Sequence, residues 1–113
     1  MTAGRLRERL TFQRRAPIDD GYGNPVTGDW EDRFTVAARV KPSKGGETVL
    51  ARRLQGVQPV VITVRSSTET RSVTPDWRAV DARTGTVYAL RSAADMVEKN
   101  AYIEMLAESG VAS

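Results

Sequence analysis

Two pairs of neighbouring carboxylates, Asp19 with Asp20 and Glu31 with Asp32, are the residues best suited to chemistry, since paired acids can divide the roles of general acid and base. Their settings argue against it. Glu31 and Asp32 adjoin within an alternating run, and neighbours on a strand point to opposite faces. Asp19 and Asp20 lie among turn formers, where carboxylates usually bond the local backbone. The chain has no histidine and no cysteine, which removes the usual neutral-pH base, the thiol nucleophile and the commonest metal ligands. Gly21 and Gly23 do not open a helix with dinucleotide-binding spacing. Lys44-Gly45-Gly46 lacks the Gly-Lys-Ser/Thr order of a nucleotide loop. The sequence therefore predicts a non-enzyme with no catalytic, cofactor-binding or metal-binding residues.

Charge offers a different chemistry. The formal net charge is +3, and the excess is concentrated early, with Arg5, Arg7, Arg9, Arg14 and Arg15 set against Glu8 alone. Guanidinium groups in that density suit phosphates or an acidic protein surface, although a solvated strand face is the simpler reading. No apolar run approaches the eighteen or so residues of a membrane span, and no signal-peptide core is present, so a soluble chain without membrane contact is predicted.

The elements that would position these residues are mostly strands. Residues 59–65 form the organising one: Val60, Ile62 and Val64 share a face, Pro59 suits a first strand position, and Arg65 ends the apolar run. Residues 5–13 alternate, with Leu6, Leu10 and Phe12 opposite Arg5, Arg7 and Arg9. Residues 14–29 read as a long loop, because Pro17, Asp19, Asp20, Gly21, Gly23, Asn24, Pro25 and Gly28 favour turns. Residues 30–40 place Trp30, Phe34, Val36, Ala38 and Val40 inward, interrupted only by Asp32, and charged residues outward.

Residues 42–58 form a loop-helix excursion. Its helix spans 47–55, with Val49, Leu50 and Leu54 apolar and Gly56 as a stop; it is too short to be stable unless it leans on the sheet or a partner. Residues 66–76 are polar. Residues 77–82 and 87–91 form a hairpin around Gly85, 93–99 read as a helical turn or loop, and 101–107 as a last strand. The fold class that results is mainly β: a single domain over 1–113, a small antiparallel barrel or sandwich of about six strands with one short inserted helix.

Several of these segments, taken in order, carry a resemblance. Ala3-Gly4-Arg5-Leu6-Arg7-Glu8-Arg9-Leu10-Thr11-Phe12-Gln13-Arg14, Gly23, Trp30, Ala38-Arg39-Val40, residues 47–54, Val64-Arg65, Thr74-Pro75-Asp76-Trp77-Arg78 and Gly85 with Val87-Tyr88-Ala89-Leu90 are similar to the head-tail joining, or head-completion, proteins of tailed phages, prophages and gene transfer agents. The resemblance implies a small β-barrel acting as a stopper or adaptor. It implies a ring, dodecameric on the virion, that closes the portal channel after DNA packaging and offers the tail its attachment surface. The implied partners are the portal or an adaptor, a tail protein, further copies of the chain and packaged double-stranded DNA contacted without sequence preference. The implied location is the head-tail junction, after assembly in the bacterial cytoplasm.

On that reading Lys44, Arg52 and Arg53 of the excursion are the channel- or DNA-facing candidates, and Arg5, Arg7, Arg9 and Arg65 are the interface candidates. The free chain is expected to be a monomer or weak oligomer, since no extended apolar patch is evident. The alternative is a small basic barrel that binds nucleic acid directly. Aromatic spacing weighs against it, because Trp30 and Phe34 fall on the inward face and Tyr22, Trp77, Tyr88 and Tyr102 are scattered instead of forming a stacking platform.

Overall fold

The computed structural model describes residues 6–19, 25–43, 47–92, 95–97 and 101–110. Seven strands and one α-helix occur among them in chain order: β1 (Glu8–Asp19), β2 (Pro25–Pro42), α1 (Glu47–Leu54), β3 (Gln58–Arg65), β4 (Arg78–Asp81), β5 (Val87–Leu90), β6 (Asp95–Val97) and β7 (Tyr102–Ser109). All pairings are antiparallel, in the order β3-β2-β1-β4-β5-β7-β6, and β3 also pairs with β7. That extra pairing closes six strands into a barrel. Strand β6 lies outside the closed ring, sharing one edge of β7 with β5: β6 takes Tyr102 to Glu104 and β5 takes Glu108 and its neighbours.

Closure follows from period-two alternation. Leu10 and Phe12 on β1, Val60, Ile62 and Val64 on β3, and Ile103, Met105 and Ala107 on β7 all point inward and are almost fully buried. The register aligns them, with Val60 opposite Ala107, Ile62 opposite Met105 and Val64 opposite Ile103. Phe12 stacks on Phe34 with ring centroids 5.2 Å apart, and Phe34 in turn meets Trp77 at 6.0 Å. Trp77 and Val73, both buried, come from the connection between β3 and β4. That connection is pinned by Thr70, whose hydroxyl donates to the Arg65 carbonyl at 2.7 Å while Ser67 and Thr70 exchange side-chain-to-backbone bonds. Of the aromatics read as scattered, Trp77 and Tyr102 are buried.

Two expectations are corrected. Residues 14–29 are not one long loop: β1 continues to Asp19 and β2 resumes at Pro25, with Pro17 facing Thr27 and Ile18 facing Val26. Turn-forming residues are tolerated because this ribbon lies beyond the barrel, where β1 has no pairing with β4 past Gln13 and a missing donor breaks no central ladder. Within 93–99, the described residues 95–97 are a strand and not a helical turn, because they find an open edge on β7.

The hairpin of β4 and β5 turns as expected at Gly85, with φ of +77°, and its buried Asp81 carboxylate accepts the Arg83 and Thr84 amides at 2.8 and 3.0 Å. Gly110 is more demanding. Its φ is +86°, and a Cβ there would stand 2.4 Å from the Gly56 carbonyl oxygen, where the end of the α1 segment meets the end of β7. Gly110→Ala is expected to cost more than about 2 kcal/mol, combining left-handed strain with a backbone clash, whereas Gly85→Ala, with open space around it, should cost about 1 kcal/mol. Urea midpoints of the two variants would check the ordering.

Candidate functional site

The outer barrel face made by β1, β2 and β3 gathers cations that are distant in sequence. Arg9 faces Ala37, Ala37 shares its side of β2 with Arg39 and Lys41, and Arg65 ends β3 beside them. Inward neighbours at Leu10, Ala38 and Val64 fix this orientation by burial. Arg7, Arg9, Lys41 and Arg65 are exposed and Arg39 is half-buried. Arg9 and Arg65 line one open cleft of about 330 Å³ together with Thr35, Ser67 and Glu69. Two of the four interface candidates, Arg9 and Arg65, therefore share a site; Arg7 lies just before β1, and Arg5 falls outside the described residues. Arg39 and Lys41, visible in the sequence only as outward strand positions, belong to the same face.

The excursion candidates are placed less completely. Lys44 and the side chain of Arg52 lie outside the described residues. Arg53 is exposed, and its guanidinium donates to the Ser43 carbonyl at 3.0 Å, which ties the helix back to the end of β2. Leu50 and Leu54 are 58% and 80% exposed, so both leucines of α1 are largely left to solvent. Val57, just after the helix, is buried.

A third cluster was missed by the alternation. Phe12 pairs with Phe34, but Gln13 pairs with Asp32, so Arg33 is an extra residue and a bulge. Past the bulge the parity of β2 reverses: Asp32 and Trp30 turn outward beside Gln13 and Arg15. Trp30, expected inside, is instead flanked by two guanidinium groups, Arg78 at 4.4 Å and Arg15 at 5.3 Å from its ring centroid. Arg78 Nε donates to Gln13 Oε1 at 2.6 Å, and Gln13 Nε2 donates to Asp32 Oδ1 at 2.6 Å. Arg15 Nε donates to the Gly28 carbonyl at 3.1 Å. Burial lowers the pKa of Arg78, the charge of Arg15 lowers it further, and Asp32 pulls the other way. The one sequence signal was Asp32 itself, whose interruption of the inward set is the trace of the bulge.

The two tryptophans can be told apart by mutation. Trp77→Ala opens a cavity beside Phe34 and is expected to cost about 3–5 kcal/mol. Trp30→Ala loses two cation-π contacts outside the core and should cost no more than about 1–2 kcal/mol. Chemical denaturation of both variants separates these values.

Among the described residues no cluster of three or more acids, histidines or cysteines could hold a metal ion, and no helix is long and apolar enough to cross a membrane. The cationic faces can bind anions or carboxylates and position them.

Comparison with known proteins gives three findings. The family model described as phage head completion protein matches residues 1–110. The solution structure of protein SF1141 from Shigella flexneri 2a superposes with a TM-score of 0.72 at 22% identity, covering 100% of both chains. A chain from the virion of a native gene transfer agent particle superposes with a TM-score of 0.65 at 21% identity, covering 94% of this chain and 96% of that one. No match is found among curated proteins.

Proposed function

The chain belongs to the phage head completion protein family, a family of virion structural proteins, and from that premise we propose that it forms a ring at the head-tail junction, closes the portal channel after packaging and presents the surface to which the tail attaches. The observation that carries this reading is the family match, which spans the barrel from end to end. The arrangement of the faces supports it. A protein that joins two assemblies needs separate binding surfaces, and the cationic face of Arg9, Arg39, Lys41 and Arg65 is distinct from α1 with its exposed Leu50 and Leu54.

In this reading Arg5, Arg7, Arg9 and Arg65 meet the portal, adaptor or tail protein, where guanidinium groups pair with acidic side chains. The excursion 42–58 narrows the channel, with Lys44, Arg52 and Arg53 turned toward the phosphates of packaged DNA. Contact there is electrostatic and indifferent to sequence, since phosphates carry charge but no base identity.

Electron microscopy of particles assembled with this chain tests the proposal. Density for the barrel is expected as a ring between head and tail. Particles with the chain absent from the junction, or spread over the head shell, would overturn it.

A further inference from the structure

Strand β2 outruns the strand on its β3 side. β1 accompanies it from Ala38 back to Pro25, whereas β3 pairs with it only from Pro42 to Ala38 and ends at Arg65. The direction of the backbone groups beyond that point follows from two bonds. The Ala82 amide donates to the Arg9 carbonyl, so Arg9 faces β4 and the next residue, Leu10, bonds toward its partner Val36 on β2. The Ser43 amide donates to the Pro59 carbonyl, so Ser43 and the residues in phase with it, Lys41, Arg39, Ala37 and Thr35, face the other edge. No register shift breaks that phase. The Thr35 amide and carbonyl therefore point past the end of β3, where no strand or turn among the described residues bonds them.

The open edge has two unlike sides. Outside, the cleft of about 330 Å³ brings Arg9 and Arg65 beside Thr35, with Glu69 as the acid in its lining. Neither arginine makes an ion pair among the described residues. Inside, Val36 lines the same cleft and is only half-buried, packed against the core. We propose that an extended, acidic segment of a neighbouring virion protein adds as a strand to this edge beside Thr35, with carboxylates toward Arg9 and Arg65 alternating with apolar side chains toward Val36. Strand addition satisfies the free amide and carbonyl through main-chain bonds, and the alternate side chains supply selectivity. A nucleic acid has no amide ladder to offer. Charge fixes the class of partner, since the two guanidinium groups attract carboxylates and repel the same edge of a second copy. The inference rests on the joining reading above and names the chemistry of the segment that meets Arg9 and Arg65.

Proline reads the edge directly. Thr35→Pro removes the outward amide without touching the ladder to β1, a setting in which proline is tolerated, whereas Thr35→Ala keeps the amide. Both variants are expected to keep the circular dichroism and cooperative melting of the parent. Thr35→Ala should join heads to tails normally, while Thr35→Pro, and separately Arg9→Glu with Arg65→Glu, should lower the yield of joined particles about tenfold. Hydrogen exchange of the parent gives an arm that needs no variant and decides the matter should Thr35→Pro fail to fold: the Thr35 amide should exchange freely in the isolated chain and about tenfold more slowly in joined particles. Normal joining by folded Thr35→Pro, equal exchange in the two states, or joining indifferent to the charge reversal would overturn strand addition while leaving intact a ring seen by electron microscopy. Protection of Thr35 that arises when the isolated chain self-associates would give the edge to a second copy and overturn the choice of partner. Particles with no ring at the junction would overturn both readings.

Discussion

Replacing Phe12 with alanine is expected to remove about 3–5 kcal/mol of folding stability, a large share of the 5–15 kcal/mol or so available to a domain of this size. Phe12 is fully buried, stacks on Phe34, and is paired on both sides, with Phe34 of β2 and Ala79 of β4. It sits where β1 leaves the barrel to become a free ribbon, so small neighbours such as Ala79 have no bulk to fill the gap. The thermal midpoint, followed by circular dichroism, should fall by roughly 12 °C or more. Phe12→Leu, which keeps most of the volume, should cost less than about 2 kcal/mol. A loss below about 1 kcal/mol for the alanine variant would show that this ring is not the centre of the core.

Removing residues 44–55 and joining the ends with a short glycine linker is expected to leave the barrel folded yet let packaged DNA escape before tails attach. The first half of this expectation rests on burial. Leu50 and Leu54 are mostly exposed, and the core among the described residues is drawn from strands and from the β3–β4 connection, so the two leucines take little apolar burial with them. Ser43 and Pro59 already bond across the base of the excursion, the Ser43 amide donating to the Pro59 carbonyl at 2.9 Å, so a short linker can close β2 onto β3. The second half follows from the proposed channel position of Lys44, Arg52 and Arg53. DNA content of purified tailless heads is the measurement. Heads that retain their DNA while carrying the shortened chain would refute the gating role and leave the joining role in place.

The helix illustrates how local and tertiary terms divide. Its existence follows from Glu47 at the start, Arg52 and Arg53 near the end and Gly56 as a stop, all local signals. Whether it leans on the sheet or waits for a partner is a tertiary matter, and the exposure of Leu50 and Leu54 favours the partner. The interface arginines divide the same way. Their outward orientation was legible from alternation in β1 and β3, but that Arg9 and Arg65 share a cleft depends on β2 lying between them in a definite register.

What the amino-acid order by itself determined is the set of faces. Val60, Ile62 and Val64, or Leu10 and Phe12, had to point one way because period-two geometry leaves no choice once a segment is a strand. The absence of histidine and cysteine removed the imidazole base and the thiol nucleophile before any fold was considered. Only the tertiary structure decided where alternation slips and which edges meet. One extra residue at Arg33 reverses the positions from Asp32 to Trp30, sending Trp30 from the core to a surface between two arginines, and no local rule distinguishes such a bulge from a tolerated polar residue. Residues 14–19 and 25–29 likewise became a ribbon instead of a loop because pairing between β1 and β2, once begun at Phe12 and Phe34, continues as long as each added pair offsets its ordering entropy. Local propensity counts neither that cooperativity nor the closure of β3 onto β7, since both depend on residues far apart in the chain meeting in one register.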